Sequence, residues 1–233
     1  MTVLAAPVIR PVSAATTSIT GHSVLGARIV ARRLGDSGDG PRVLVIGAIH
    51  GNESAGIAIV RRLEHDGASR HVQLWVVDDL NPDGVRANTR GNAHGVDLNR
   101  NFPWRWRPRT APGTTYYAGT GPLSEPESRF ARLVILKLRP DITIWFHQSE
   151  TAVDSSSGSK PIEARFARRV ALPLRRLIRY PGSATTWQAH RFRKATAFVV
   201  ELPPGILKAR ATRAYARAVL ALARSEAPSG PRL

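Results

Sequence analysis

The chain has 233 residues and a formal net charge of +17, and 42% of its residues are hydrophobic. This length suits one α/β domain with a sizeable core and leaves no room for a second full domain. The sequence contains no cysteine, which excludes disulfides and thiolate metal ligands, and no apolar run approaches the roughly 20 residues that a membrane-spanning helix needs.

The positive charge comes mostly from arginine, and two interpretations of it compete. One is an acidic partner such as nucleic acid, a membrane surface or an anionic wall polymer. The other is a solvated basic surface, which the scatter of arginine pairs such as Arg32/Arg33 and Arg168/Arg169 favours. We therefore expect no nucleic-acid or membrane partner, and only a weak preference for acidic ligands.

The N-terminal residues 1–18 are predicted to be an irregular lead-in. Their mildly apolar stretch is interrupted by Pro7 and is not preceded by Lys or Arg, so it lacks the pattern of a cleaved signal peptide. On this basis we expect a cytoplasmic protein, with export left open. One folded domain is expected over residues 19–225, followed by a disordered tail over residues 226–233.

Strands and helices are predicted to alternate within this domain. The strand patterns are "SVLGARIVARRLG" (23–35), "RVLVIGAI" (42–49), "VQLWVVDDL" (72–80), "DITIWFH" (141–147) and "TAFVVELP" (196–203). The helical patterns cover residues 54–67, 124–140, 162–174 and 208–226. We expect "NPDG" (81–84) to be a turn and residues 149–161 to be a flexible loop. This alternation predicts an α/β fold with a mixed, mostly parallel twisted sheet, covered by helices on both faces.

Polar side chains follow three of the predicted strands at the edge where α/β sheets bind ligands. His50 and Glu53 come three residues apart after the first, His147 ends the second, and Glu201 ends the third. Two imidazoles and one carboxylate form an open catalytic zinc site, and a further carboxylate can act as general base. Taken singly, His50 and Glu53 could be a satisfied loop pair, His147 a strand-end histidine, and Glu201 a carboxylate paired with an arginine.

The motifs "GAIHGNESAG", "NPDG", "GVDLNRNFP", "IWFHQ" and "VVELP", in this order, closely resemble those of the zinc carboxypeptidase family of carboxypeptidase A-like metallopeptidases. The resemblance runs from about residue 19 to residue 222. It implies that one Zn²⁺ per chain is bound by His50, Glu53 and His147, and that Glu201 is the catalytic glutamate. It also implies that residues 19–225 form a zinc-carboxypeptidase-like catalytic domain.

The same resemblance implies how the substrate is held. Asn99 and Arg100 match the pair that grips the terminal carboxylate of the substrate, and Arg90 is similar to an arginine that polarises the scissile carbonyl. The alternative for Arg100 is a structural ion pair with Asp97. Tyr180 lies 21 residues before Glu201, as the substrate-contacting tyrosine of the family does, but a shorter gap to the next glycine leaves the role open to another group.

The segment "GSATTW" (182–187) matches one that helps to line the side-chain pocket in relatives, and this resemblance implies a small polar pocket that includes Thr185. The short chain, the compact loop "ANTRGNAHGVDLNRNFPWRW" (87–106) and the segment "YPGS" (180–183) are most similar to the bacterial murein peptide amidase branch of the family. That branch cleaves γ-D-glutamyl-diaminopimelate bonds in cell-wall peptides. The basic loop "NFPWRWRPRT" (101–110) could rim the cleft, or its tryptophans could pack onto the domain.

We therefore predict a zinc-dependent hydrolase that releases a C-terminal residue from a peptide or muropeptide with a free terminal carboxylate. An N-acyl amino acid deacylase of the aspartoacylase and succinylglutamate desuccinylase type is an alternative, because those enzymes have an "HGNE"-like ligand motif. A non-catalytic basic binding module is the alternative of another class.

Overall fold

The structure, a computed structural model, describes residues 18–35, 41–67 and 72–224. The predicted tail over residues 226–233 lies outside the described residues, and so does the predicted lead-in except for Ser18. Among the helices that are described, none has the length and apolar character needed to cross a membrane.

Eight strands and six α-helices make up the described chain. The strands are β1 (Ser18–His22), β2 (Arg28–Leu34), β3 (Arg42–Ile46), β4 (Gln73–Val77), β5 (Ile142–Gln148), β6 (Ala152–Asp154), β7 (Leu174–Arg175) and β8 (Thr196–Leu202). The helices are α1 (Ala55–Asp66), α2 (Pro82–Ala87), α3 (Pro126–Leu138), α4 (Lys160–Val170), α5 (Ala184–Arg191) and α6 (Ala209–Ala223). A short 3-10 helix spans Leu98–Arg100.

All eight strands belong to one mixed sheet in the order β1-β2-β4-β3-β5-β8-β6-β7. The central strands β4, β3, β5 and β8 are parallel, whereas β1 and β2 are antiparallel at one side. β6 runs antiparallel to β8. The predicted α/β class with a mostly parallel sheet is confirmed.

Helices cover both faces of the sheet because the central strands are apolar on both sides. In β3, Val43 and Val45 pack in the same core as residues of α1, α4 and α6. The alternate residues Leu44 and Ile46 pack in the other core with residues of α3 and α5. The sheet is therefore buried between two helical layers, and only its edges and strand ends remain available for a site.

Three strands were missed in the sequence because they are short. Residues 18–22 were assigned to the irregular lead-in or left without a strand, but they form β1 against β2 at the edge of the sheet. Residues 152–154, within the predicted flexible loop, pair with β8 as β6. β7, which begins at the last residue of the predicted helical pattern 162–174, pairs with β6. Strands of two to five residues carry too few alternations to stand out from loops.

Two helices also differ from the predictions. "NPDG" begins helix α2 instead of a closed turn, because Pro82 suits the first helical turn and the Asn81 side chain accepts a hydrogen bond from the Gly84 N–H at 3.0 Å. Helix α5 was not predicted, since its eight residues hold few apolar side chains in a short segment. Its position matters because its first residues border the site described below.

A buried acid on the outer layer gives the fold a pH dependence. Glu163 of α4 is fully buried, and neither of its carboxylate oxygens makes a hydrogen bond of normal geometry with the described residues. Burial and the nearby Asp154 raise the pKa of Glu163 to about 7, against the opposing effects of the Gly158 backbone, Arg179 and Lys160. The folded protein therefore holds this proton more tightly than the unfolded chain does.

Because the folded pKa lies above the unfolded one, stability from this group is present at low pH and is lost as the pH rises through about 7. We predict that Glu163→Gln raises the free energy of unfolding at pH 8 by about 1–3 kcal/mol and changes it little near pH 4. Urea unfolding in the presence of a chelator measures this. Glu64→Gln, at a carboxylate of α1 away from the site, is the control, and an unchanged stability of Glu163→Gln at pH 8 would contradict the assignment.

Candidate metal centre and active site

The parallel strands bring the predicted site residues to one edge of the sheet. His147 near the end of β5 is the direct neighbour of Glu201 in β8 in the strand register. Because they occupy equivalent positions in adjacent parallel strands, both side chains point to the same face. His50 and Glu53 follow β3, the other neighbour of β5, in the loop that leads into α1.

Glycine allows this loop to approach the next segment of backbone. A Cβ atom on Gly51 would lie 2.0 Å from the carbonyl carbon of Gly84, so only glycine fits without a backbone shift. The Asn52 N–H donates to the Thr89 carbonyl at 3.1 Å. The loop that carries His50 and Glu53 is therefore fixed against the segment that leads to Arg90.

The side chains of His50, Glu53 and His147 converge on one point. All three are buried, and their candidate ligand atoms lie within 4.8 Å of one another. Nδ1 of each histidine is 2.9 Å from Oε2 of Glu53. Nδ1 of His50 nevertheless makes no hydrogen bond of normal geometry within the described structure. Buried nitrogen and oxygen atoms that face a common centre fit a divalent cation such as zinc.

Asp97 lies behind this cluster and contacts its histidine. Its buried Oδ1 is 2.9 Å from Nε2 of His50, and its Oδ2 accepts a hydrogen bond from Nε of Arg90 at 3.0 Å. Burial opposes ionisation, but His50, Arg90 and Arg100 together hold the pKa of Asp97 below its usual range. A carboxylate on the outer nitrogen of an imidazole fixes the ring and leaves Nδ1 available for a cation.

Arg90 also contacts the His50–Glu53–His147 cluster directly. Its Nη1 donates to Oε1 of Glu53 at 2.7 Å, so one guanidinium holds both Glu53 and Asp97. Its third nitrogen, Nη2, makes no hydrogen bond to the described residues. Arg90 also lines the site cavity. Its contact with a substrate carbonyl stays a prediction, but the structure adds an orienting contact that the sequence did not indicate.

Glu201 is partly buried and lines the same cavity as the cluster. Burial raises the pKa of Glu201; His147 opposes this rise and Glu53 adds to it. Glu201 forms no ion pair with any described residue, so the alternative of a carboxylate neutralised by arginine is not observed. A carboxylate without a cationic partner beside a metal cluster is suited to accept a proton.

Arg100 is a buried cation that forms no salt bridge with a described residue, although it interacts electrostatically with Asp97. It is 3% exposed, its Nη1 donates to the Asn99 carbonyl at 2.8 Å, and its Nε has no hydrogen-bond partner among the described residues. The alternative ion pair with Asp97 is not observed in the described part of the chain, because Asp97 pairs with His50 and Arg90. An unpaired buried guanidinium is suited to bind an anionic ligand.

Asn99 and Tyr180 flank this arginine. Oδ1 of Asn99 accepts a hydrogen bond from the Ala184 N–H at 3.0 Å, which ties the 3-10 helix to the start of α5. The Tyr180 ring centroid is 4.0 Å from Cζ of Arg100. The structure thus brings Tyr180 to the site despite the short gap that follows it in the sequence.

One cavity of about 390 Å³ collects every predicted site residue. Its lining includes His50, Glu53, Arg90, Asn99, Arg100, His147, Tyr180, Thr185 and Glu201. The spatial grouping was therefore predicted from sequence, whereas the chemical role of each residue stays a prediction.

Three neighbours of the site were missed or misassigned. Asp97 was considered only as a partner of Arg100, although its place two residues before Asn99 in "VDLNRN" was a usable signal. Tyr116 and Arg109 lie in a loop without periodicity and gave no signal. Arg90, Arg100 and Arg109 each place Cζ between 5.4 and 5.7 Å from the centroid of the Tyr116 ring.

Comparison with known proteins identifies the family. Residues 4–161 match the family model described as zinc carboxypeptidase. The chain belongs to the zinc carboxypeptidase family. The matched segment contains the candidate ligands and the Asn99–Arg100 pair, whereas Tyr180, Thr185 and Glu201 lie beyond it.

Two curated relatives and two solved structures refine this family assignment. Murein peptide amidase A of Escherichia coli K12 is 30% identical over 192 residues, which cover 72% of this chain and 74% of the relative. Its counterpart from Vibrio campbellii is 30% identical over 206 residues, or 81% of this chain and 80% of the relative. These relatives, with the family match, indicate a peptide-bond hydrolase.

The solved structures agree in fold. A murein-tripeptide amidase from Escherichia coli O157 superposes with a TM-score of 0.74 at 27% identity, covering 89% of this chain and 91% of that one. A carboxypeptidase A from Helicoverpa armigera gives a TM-score of 0.72 at 18% identity, covering 88% of this chain and 69% of that one. The second likeness concerns the fold alone.

The contact between Asp97 and His50 generates a prediction about metal affinity. We expect Asp97→Asn to weaken zinc binding by about 10- to 100-fold, because the neutral amide lacks the negative charge that orients the imidazole of His50. Competition with a chromophoric chelator measures the dissociation constant. Asp66→Asn, at an exposed carboxylate of α1, is the matched control. Parent-like zinc affinity in Asp97→Asn would show that the contact does not support metal binding.

Proposed function

We propose that this protein is a zinc-dependent hydrolase that releases the C-terminal residue of a peptide, most specifically diaminopimelate from a γ-D-glutamyl bond of cell-wall peptides. One observation carries the proposal. The His50–Glu53–His147 cluster, a carboxylate without a cationic partner at Glu201 and an unpaired buried guanidinium at Arg100 all line one cavity.

In this proposal, His50 and His147 bind zinc through Nδ1 and Glu53 binds it through a carboxylate oxygen. When bound, zinc supplies Lewis acidity that polarises a carbonyl and lowers the pKa of water. Asp97 holds His50 in the tautomer that presents Nδ1, and Arg90 holds the Glu53 carboxylate.

Glu201 is assigned the proton transfers. Its carboxylate takes the proton of the attacking water and then delivers it to the nitrogen of the departing residue, so that an amine leaves instead of an amide anion. Its position beside His147 in the strand register places it at the cluster. Arg90 is assigned to the developing charge on the carbonyl oxygen through its remaining nitrogen, Nη2.

The terminal carboxylate of the substrate is assigned to Arg100 and Asn99. A carboxylate would supply the anion that Arg100 lacks in the described structure, and the planar guanidinium can bind it with two hydrogen bonds. Tyr180, stacked on Arg100, is assigned to the same end of the substrate. Binding of the free carboxylate at this distance from the cluster selects the last peptide bond of the chain.

The polar lining of the cavity supports the choice of diaminopimelate. The lining of the site cavity also includes Thr185, Thr186, Asp154 and Arg176, which are polar or charged. A residue with a polar, charged side chain suits such a lining better than a residue with an aromatic side chain does. The names of the relatives from Escherichia coli and Vibrio campbellii point in the same direction.

Neither alternative function is favoured by a specific observation. The family match joins this chain to peptide hydrolases instead of N-acyl amino acid deacylases. A basic module without catalysis would not need an uncompensated Glu201 beside a buried His-Glu-His cluster. We therefore retain peptide-bond hydrolysis as the function.

The proposal predicts a defined reaction. The zinc-loaded protein should release diaminopimelate from L-Ala-γ-D-Glu-meso-diaminopimelate, detected by mass spectrometry. Glu201→Gln should reduce kcat by about 10²–10⁴-fold while binding one zinc ion per chain, because it removes proton transfer and leaves the metal ligands intact. A chelator should abolish release in the parent protein.

Glu64→Gln on α1, where Glu64 pairs with Arg32 away from the cavity, is the matched control and should retain parent activity. Absence of release by zinc-loaded parent protein would overturn the substrate assignment. Full activity in Glu201→Gln would overturn the role of Glu201.

A further inference from the structure

A second cavity of about 390 Å³ lies next to the site cavity. We call it the cationic groove and define it by Trp104, Arg105, Arg179, His190 and Arg193. From the sequence, the loop that carries Trp104 and Arg105 was expected either to rim the cleft or to pack its tryptophans onto the domain. The structure indicates both, because Trp104 packs against the core while Arg105 lines the groove.

The groove has an excess of positive charge. It is lined by three arginines and a histidine, and none of the described residues in its lining is acidic. Arg105 and Arg193 form no ion pair with the described residues, unlike Arg62, which pairs with Asp66 at 2.7 Å. Concentrated unpaired guanidinium groups in a concave surface attract anions.

The base of the groove is held by backbone and ring contacts. The Trp104 and His190 rings stack at 3.3 Å between centroids with 15° between their planes. Cζ of Arg105 lies 5.5 Å from the Trp104 ring centroid. The Gly182 N–H donates to the Trp104 carbonyl at 3.1 Å, which joins the loop to the segment before α5. These contacts position two of the cationic side chains relative to the site.

The two cavities adjoin each other. Arg179, Tyr180 and Thr186 line both of them. Tyr180 contacts Arg100, to which the substrate's terminal carboxylate is assigned. The groove therefore adjoins the part of the site cavity to which the released residue is assigned.

We propose that the cationic groove binds a second carboxylate, carried at the end of the side chain of the released residue. This inference rests on the proposed function, because it takes the released residue to be anchored by Arg100. Arg105 and Arg193 are the groups that bind the second carboxylate, through the planar donor fork that suits carboxylates. The groove thus makes the site selective for a released residue that carries a second carboxylate at the end of its side chain.

A matched pair of ligands tests this selectivity. γ-D-Glu-meso-diaminopimelate and γ-D-Glu-L-lysine differ in the released residue by one carboxylate at the end of the side chain. Their dissociation constants are measured by calorimetry with zinc-loaded Glu201→Gln protein, which separates binding from turnover. We expect the diaminopimelate peptide to bind about 10- to 100-fold more tightly than the lysine peptide.

The groove variant carries Arg105→Gln and Arg193→Gln in the same background. It should lose most of this 10- to 100-fold preference through weaker binding of the diaminopimelate peptide, with the lysine peptide unchanged within about twofold. Arg213→Gln on α6, at another exposed arginine, is the control for net charge and should preserve the preference. Inorganic phosphate tests for a free anion site, and it should weaken binding of the diaminopimelate peptide more than binding of the lysine peptide.

Equal losses for both peptides, or a preference that survives in the groove variant, would overturn the inference. Failure of the proposed function looks different, because the parent protein would then release no diaminopimelate. If neither peptide binds to the Glu201→Gln protein, both the inference and the proposed substrate are wrong. If the parent releases diaminopimelate and lysine with equal efficiency, only the inference fails.

Discussion

The arrangement of the site depends on the buried carboxylate of Asp97. It reaches Nε2 of His50, Nε of Arg90 and the backbone N–H of Asn99. These contacts orient a candidate metal ligand, place the guanidinium that holds Glu53, and begin the 3-10 helix that presents Arg100. Because Asp97 is fully buried between cationic and donor groups, it stays ionised and its three contacts reinforce one another. The His50–Glu53–His147 cluster and Arg100 are thereby parts of one network.

The sequence predicted the central fold and the composition of the site because both depend on strong local patterns. Long apolar strands such as β3, β5 and β8 are recognisable on their own, and polar residues at their ends must meet at one edge of a parallel sheet. The strand register that sets His147 beside Glu201 follows from that arrangement. The family resemblance supplied the pairing of Asn99 with Arg100, which spacing alone would not have identified.

What the sequence did not predict depends on contacts between distant segments. The edge strand β1 and the short helix α5 have few residues, and their pairing and packing are tertiary. The contact of Arg90 with Glu53 joins residues 37 positions apart, in a loop that has no periodicity. The cationic groove likewise combines Arg105, in the loop after the 3-10 helix, with Arg193, which follows α5. A charge that looks scattered along the sequence therefore becomes concentrated where the fold brings those segments together.

The central claim is that His50, Glu53 and His147 bind one zinc ion through the nitrogen and oxygen atoms that converge in the structure. Zinc K-edge X-ray absorption on protein with a measured zinc content tests this most directly. We predict one zinc ion per chain, with two imidazole nitrogens and at least one carboxylate oxygen in the coordination shell. In His147→Ala, one imidazole should be lost from this shell. A stoichiometry well below one, or a shell that is unchanged in His147→Ala, would contradict it.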